Sequence, residues 1–128
     1  MPYEVTADEA NKIILVRVWG FATNNDHLNA RSEAAKLCGK HQCNNLLIDL
    51  KDLKTGKGVT LMSSFRFGET LIKGALPFDT RIAHVMPNDP DAHRAALYAT
   101  TVAQKQGGAV KDFDTPEEAR QWLLSESG

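Results

Sequence analysis

Two cysteines, aromatic residues at only 7% and no surplus of either charge mark what this 128-residue chain does without. Two thiols are too few for the disulfide framework of a small secreted domain and are read as reduced cysteines in a cytoplasm. Fifteen Lys and Arg against sixteen Asp and Glu leave a formal charge of −1, so no global field recruits nucleic acid or anionic lipid. No apolar run reaches the ~18 residues of a membrane span. The start, Met1-Pro2-Tyr3-Glu4, lacks the basic and then apolar segments of an export signal. Catalytic strings are missing as well: there is no G-x-S-x-G, H-E-x-x-H, G-x-G-x-x-G or Walker string. These absences exclude a tail, a collagen, a coiled coil and a membrane protein. What is left is a soluble α/β domain of 14.1 kDa, a size that fits one domain.

What is present alternates between strand and helix patterns. Tyr3–Thr6 and Ile13–Trp19, joined by the polar stretch Asp8–Lys12, predict an antiparallel hairpin. The second strand is nearly continuous in apolar residues, as a strand covered on both faces requires. Asn24-Asn25-Asp26 offers N-cap oxygens for a helix with Leu28, Ala34, Ala35, Leu37 and Cys38 inward and Gly39 as its stop. Leu46–Leu50 has the length of a buried strand, and Lys51–Gly58 is a loop by composition. A second helix is expected from Val59 to Lys73. Thr80–Met86 reads as a strand, and Asp89-Pro90 starts a helix running to about Gln106 with Ala95, Tyr98, Ala99, Val102 and Ala103 inward. Ala109–Phe113 is a last strand. Thr115-Pro116-Glu117-Glu118 is a capping box opening a helix that buries Ala119, Trp122 and Leu123. The sum, β-β-α-β-α-β-α-β-α, calls for a single domain over residues 1–128. Its sheet is mixed and five-stranded, a hairpin followed by parallel strands, with about four helices.

Ligands of such sheets bind outside the carboxyl ends of the parallel strands. Of the four loops there, Lys51–Gly58 stands apart, with Lys51, Lys54, Lys57, two glycines and Thr55 just before a helix. It can be an anion site, a place where Thr55 carries a phosphate, or a solvated loop. Cys38, His41 and Cys43 sit close in sequence, but no second ligand pair completes a zinc site and the spacing is C-x4-C, not C-x-x-C. They are read as two thiols at a helix end, and no metal or cofactor is expected. His84, mid-strand in an apolar run, is read as a satisfied core histidine. Asp49 ends a strand and either accepts amide hydrogen bonds from the next loop or serves a small enzyme together with nearby histidines. Asp26, His27, Asp89 and His93 are surface candidates.

The apolar cluster around the Val59–Lys73 helix is the feature most directly tied to binding. Phe65 and Phe67 stand about 200° apart on a helix, so one of them points away from the sheet. Beside Met62, Leu71 and Phe78 it forms a patch for a protein partner, a second copy of the chain or an acyl chain, unless the loop Gly74–Asp79 folds over it.

Leu46-Leu47-Ile48-Asp49-Leu50, Arg81-Ile82-Ala83-His84-Val85 and the ending Val110-Lys111-Asp112-Phe113-Asp114-Thr115-Pro116-Glu117-Glu118-Ala119-Arg120-Gln121-Trp122-Leu123 resemble the SpoIIAA-like family. That family lies near the STAS (anti-sigma-factor antagonist) and SEC14-like domains, and the resemblance spans nearly the whole chain. It implies a regulatory binding module without catalytic residues. Anti-sigma antagonists switch by phosphorylation in an Asp-Ser-Ser-Gly-like turn. Here that region reads Lys54-Thr55-Gly56-Lys57-Gly58, with Thr55 its only hydroxyl. The SEC14-like side implies a small apolar or lipid ligand with the second helix as a movable wall. On this reading the contacts are made by Met62, Phe65, Phe67, Leu71, Phe78, Lys54, Thr55 and Lys57.

Overall fold

A computed structural model describes residues 2–54, 80–105 and 107–125. Strands β1 (Tyr3–Asp8) and β2 (Ile13–Val18) form the antiparallel hairpin, in register from Tyr3↔Val18 to Asp8↔Ile13. Its turn is organised by Asp8, whose carboxylate accepts from the Asn11 backbone and side-chain amides at 3.3 and 3.0 Å. Strands β3 (Asn45–Asp49), β4 (Arg81–Val85) and β5 (Ala109–Phe113) add in parallel, giving the order β1-β2-β3-β4-β5. The expected mixed five-stranded sheet is therefore present.

Three helices are found among the described residues: α1 (Asn24–His41), α2 (Pro90–Lys105) and α3 (Pro116–Ser125). The Val59–Lys73 helix expected from the sequence lies outside them. One sheet face carries Ile14, Val16, Val18, Leu46, Ile48, Ile82 and Val110, packed with Ala30, Ala34 and Cys38 of α1 and Ala92, Ala96 and Ala103 of α2. The other carries Ile13, Leu47, Ala83 and Val85 beneath Ala119 and Leu123 of α3. Strands β2, β3 and β4 are thus covered on both sides, which is why their sequences barely alternate.

The inward stripes contain Ala34, Cys38, Ala99, Val102 and Ala103 as expected but differ at other positions. Leu28 is 45% exposed and Tyr98 36% exposed, while Ala30, Ala96 and Thr100 are buried. On α1 the inner positions run Ala30, Ala34, Cys38 at the i, i+4 spacing of one helix face, with Arg31 buried beside them. Small residues there let the helix lie close to the sheet, and the one large aliphatic residue of the first turns, Leu28, is turned outward.

The helix ends follow local chemistry. The N-cap of α1 is Thr23 and not the following asparagines: Thr23 Oγ1 accepts from the Asp26 amide at 3.2 Å and the Asp26 carboxylate accepts from the Thr23 amide at 2.8 Å. Gly39 does not stop the helix. Gln42 takes the left-handed conformation (φ 51°, ψ 46°), and the Cys43 N–H donates to Cys38 O at 3.0 Å. This 6→1 bond is the signature of a Schellman turn, which packs the residue after the left-handed one against the helix's last inward position. The C-x4-C spacing is therefore a helix ending, with both thiols free and buried. Asp89 caps α2 as expected, accepting from the Ala92 amide at 3.0 Å. Thr115 caps α3 by accepting from the Glu118 amide at 3.2 Å. Arg81, at the start of β4, closes the far end of α3 by donating to the Trp122 and Leu123 carbonyls at 3.1 and 3.2 Å.

Gly39 has open space where a Cβ would sit and lies inside the helix, where Gly is about 1 kcal/mol worse than Ala. Gln42 occupies a backbone region that costs a non-Gly residue about 1 kcal/mol. Gly39→Ala and Gln42→Gly should each raise unfolding stability by about 0.5–1 kcal/mol, read as parallel shifts of the urea midpoint at unchanged slope.

Candidate functional site

The carboxyl ends of the strands are laced together by backbone bonds. Gly20 N–H donates to Asp52 O at 2.9 Å, Lys54 N–H to Gly20 O at 2.9 Å and Asn88 N–H to Lys51 O at 3.1 Å. Gly20, with φ 65°, makes the turn that brings the loop after β2 against the loop after β3. Asp49 takes the structural role foreseen as one alternative: its carboxylate accepts from the Lys51 amide at 3.0 Å. Lys51 and Lys54 are exposed. Thr55, Lys57, Met62, Phe65, Phe67, Leu71 and Phe78 lie outside the described residues.

The scattered histidines separate into different settings. His41 faces Glu9 at 3.6 Å. His93 lines a surface cleft with Met86, Leu97 and Phe113. His27 and His84 come together on the α1 side of the sheet, lining a narrow cleft with Arg31 and the apolar side chains of Val16, Val18, Ala30, Leu46, Ile48 and Leu50. Its enclosed space is about 20 Å³, room for about one oxygen-sized group. Asp49 does not join them. It alternates with Ile48 and so points to the opposite face of β3, where it borders Leu47, Arg17 and Arg120.

His84 is 1% exposed and Thr100 3% exposed. His84 pairs in register with Asp112 across β4 and β5, and α2 places Thr100 over both. Thr100 Oγ1 donates to Asp112 Oδ1 at 2.7 Å, and His84 Nδ1 lies 3.0 Å from Thr100 Oγ1 and 3.4 Å from Asp112 Oδ1. A hydroxyl has one proton. With that proton spent on the carboxylate, the threonine oxygen faces His84 as an acceptor, and Nδ1 must carry a proton of its own. In the uncharged form of the ring, Nε2 is then the lone-pair nitrogen. It is buried and has no hydrogen-bond partner among the described residues.

The reading of His84 as a satisfied core histidine therefore holds for one nitrogen only. Neither Thr100, Asp112 nor Arg31 stood out in the sequence. A signal existed for two of them: Thr100 falls among Ala96, Ala99 and Ala103 on an otherwise apolar face, and Asp112 shares strand parity with the inward Val110. His27, taken as a surface candidate, is partly buried. Burial first, and the neighbouring Arg31 charge second, pull its pKa down to about 4 against the opposing pull of Asp26. Burial also lowers Arg31 to about 10, which leaves it a cation. Arg31 is itself partnered.

No family model matches the chain, and neither the curated proteins nor the solved structures provide a match.

The buried groups give two expectations. Because His27 titrates at about 4 when folded and near 6.5 in the unfolded chain, the unfolded state binds its proton first. The stability His27 contributes is complete above pH 6.5 and is lost as pH falls toward 4. His27→Gln should reduce the loss of unfolding free energy between pH 7 and pH 4.5 by about 2 kcal/mol, measured by urea titration at each pH. Thr100→Val keeps the shape but leaves Asp112 and His84 without their shared partner, and should cost about 1–3 kcal/mol. The exposed Thr101→Val, which loses only a bond to Leu97 O, should stay within about 0.5 kcal/mol.

Proposed function

We propose that the chain is a non-enzymatic binding module of the SpoIIAA-like kind, meeting a protein partner or a small apolar molecule on the α1 side of the sheet, with the water-sized space beside His84 at the inner wall of the contact. The observation that carries this reading is the cleft's composition. Six aliphatic side chains surround one buried ring nitrogen that has no partner among the described residues. Ligand sites are built in this way, with apolar walls and a few placed polar groups. The place agrees as well, since the cleft lies toward the ends of the parallel strands where open α/β sheets bind. In the extended form of the proposal, the segment containing Met62, Phe65, Phe67, Leu71 and Phe78 contributes further contacts, to the same ligand or to a protein partner.

Six-carbon probes test the reading. Hexane and 1-hexanol titrated into isotope-labelled protein should shift the resonances of Val16, Val18, Ala30 and Ile48 together. The expected affinity is about 0.1–1 mM for molecules of this size, and Ile48→Trp should weaken it at least tenfold by filling the cleft. Shifts scattered over the surface, or none at saturation, would remove the proposal.

A second reading is favoured by one feature. A histidine held through Nδ1 by a carboxylate, with Nε2 facing a cavity, has the arrangement of an oriented general base. In that case His84, and not Asp49, would serve a small enzyme. Small p-nitrophenyl esters give a direct test: turnover that disappears in His84→Gln supports catalysis, and equal rates in the two proteins count against it.

A further inference from the structure

The two edges of the sheet are finished differently. Strand β5 forms one edge. The Met86 N–H donates to Phe113 O, so Phe113 faces β4 and Val110 faces outward, where its carbonyl accepts from the Gln104 side-chain amide at 2.7 Å. Strand β1 forms the other edge. The Trp19 N–H donates to Pro2 O at 3.0 Å, which makes Pro2, Glu4, Thr6 and Asp8 the residues whose peptide groups face β2. The peptide groups of Tyr3, Val5 and Ala7 therefore point outward, and they have no partner among the described residues. Such a row of donors and acceptors is a template for another strand.

Beside that row lies one flank of α1. Tyr3 Oη donates to Glu33 Oε1 at 3.5 Å and His41 faces Glu9 at 3.6 Å, so α1 runs alongside β1 in the same direction. Glu33, Leu37 and Lys40 share one side of the helix at i, i+4 and i+7. Leu37, Val5 and Ala7 are only partly buried at the border of the core, while Glu33 and Lys40 are exposed. Along its length the flank reads acid, aliphatic, base. Reversed, that order is its own complement.

We propose that two copies of the chain join through β1, antiparallel about a two-fold axis at Val5, and extend their sheets into one. Val5 pairs with Val5 of the second copy and Tyr3 with its Ala7, so every outward donor meets an outward acceptor. Charge selects this register. On the other face of β1 it sets Glu4 against Thr6. An axis at Glu4 would set the two Glu4 carboxylates directly opposite each other, and an axis at Thr6 would set Glu4 against Asp8, both destabilising. Above the sheet, α1 lies over β1 and β2. One strand spacing of about 4.8 Å between the two copies then leaves the two α1 axes about 10 Å apart, the separation of packed helices. Glu33 of each copy meets Lys40 of the other, with the Leu37 side chains between them. The axis uses up both β1 edges and Gln104 covers the β5 edge, so assembly stops at two. This contact is independent of the binding role proposed above.

Sedimentation equilibrium of the full chain over about 5–500 μM tests it, with amide hydrogen exchange read at both ends of that range. A contact of one strand and one helix is small, and the expected dissociation constant is about 1–100 μM. Exchange at Tyr3, Val5 and Ala7 should slow several-fold at the high concentration and stay unchanged in α3. Val5→Pro removes an outward N–H at an edge position that tolerates proline and should weaken association at least tenfold. Should that variant fail to fold, charge exchange decides: Glu33→Lys and Lys40→Glu should each weaken the dimer about fivefold, and the double variant should return to within about twofold of wild type. A wild-type chain that stays monomeric throughout the range overturns the proposal. So does a dimer that neither Val5→Pro nor the single charge reversals weaken, since its contact lies on another face, and so does assembly beyond two.

Discussion

One proton on the hydroxyl of Thr100 sets the chemistry of the buried polar cluster. It goes to Asp112 at 2.7 Å, and its direction decides what the neighbouring imidazole can do at each nitrogen. Had Thr100 donated to the ring instead, Nδ1 would be the lone pair and Nε2 a donor facing an apolar wall. The strength of the bond to a carboxylate makes donation from Thr100 to Asp112 the more stable direction, since charge-assisted hydrogen bonds are roughly twice as strong as neutral ones. A chain of two such bonds in a low-dielectric interior rigidifies the groups it joins and makes any unjoined group costly. The cleft beneath α1 therefore has a fixed polarity at its inner wall.

That fixed wall is a product of topology. His84 and Asp112 stand 28 residues apart and meet only because β4 and β5 run parallel in one register. A slip of one residue would send Asp112 to the opposite face and present Lys111 or Phe113 in its place. The register is held on that opposite face by apolar contacts: Ala83, Val85 and Phe113 pack beneath Ala119, Trp122 and Leu123. Arg81 adds to this by lying 4.2 Å from the Trp122 ring centroid while donating to the last carbonyls of α3. The packing of one side of the sheet thus positions the polar cluster on the other.

Much of the fold was legible because its punctuation is strong. Asp89-Pro90 and Thr115-Pro116 mark helix starts by capping chemistry, and the unbroken apolar runs Ile13–Val16 and Leu46–Ile48 can only be strands covered on both faces. The inward faces of α1 and α2 were less legible. Hydrophobicity picked Leu28 and Tyr98, yet the structure turns inward Ala30, Arg31 and Thr100, whose types are common on surfaces. The C-x4-C string, read as two thiols at a helix end, is one, but the sequence does not reveal that Gln42 adopts a left-handed conformation and carries the helix past Gly39. The site was hidden for a further reason: two of its three hydrogen-bonded members belong to different strands, and strand register is not written in either one. The contact segment inferred from Phe65 and Phe67 lies outside the described residues, and its part in binding stands as a proposal.

The protonation of the His84 ring tests the central claim most directly. Long-range nitrogen–proton correlation spectra of the neutral protein should show the proton on Nδ1, hydrogen-bonded and protected from exchange, and an Nε2 with lone-pair character. The pattern should collapse toward an ordinary tautomer mixture in Thr100→Val. A proton found on Nε2 in the wild-type chain would mean that Thr100 donates to the ring, and the acceptor on which the cleft's chemistry depends would not exist.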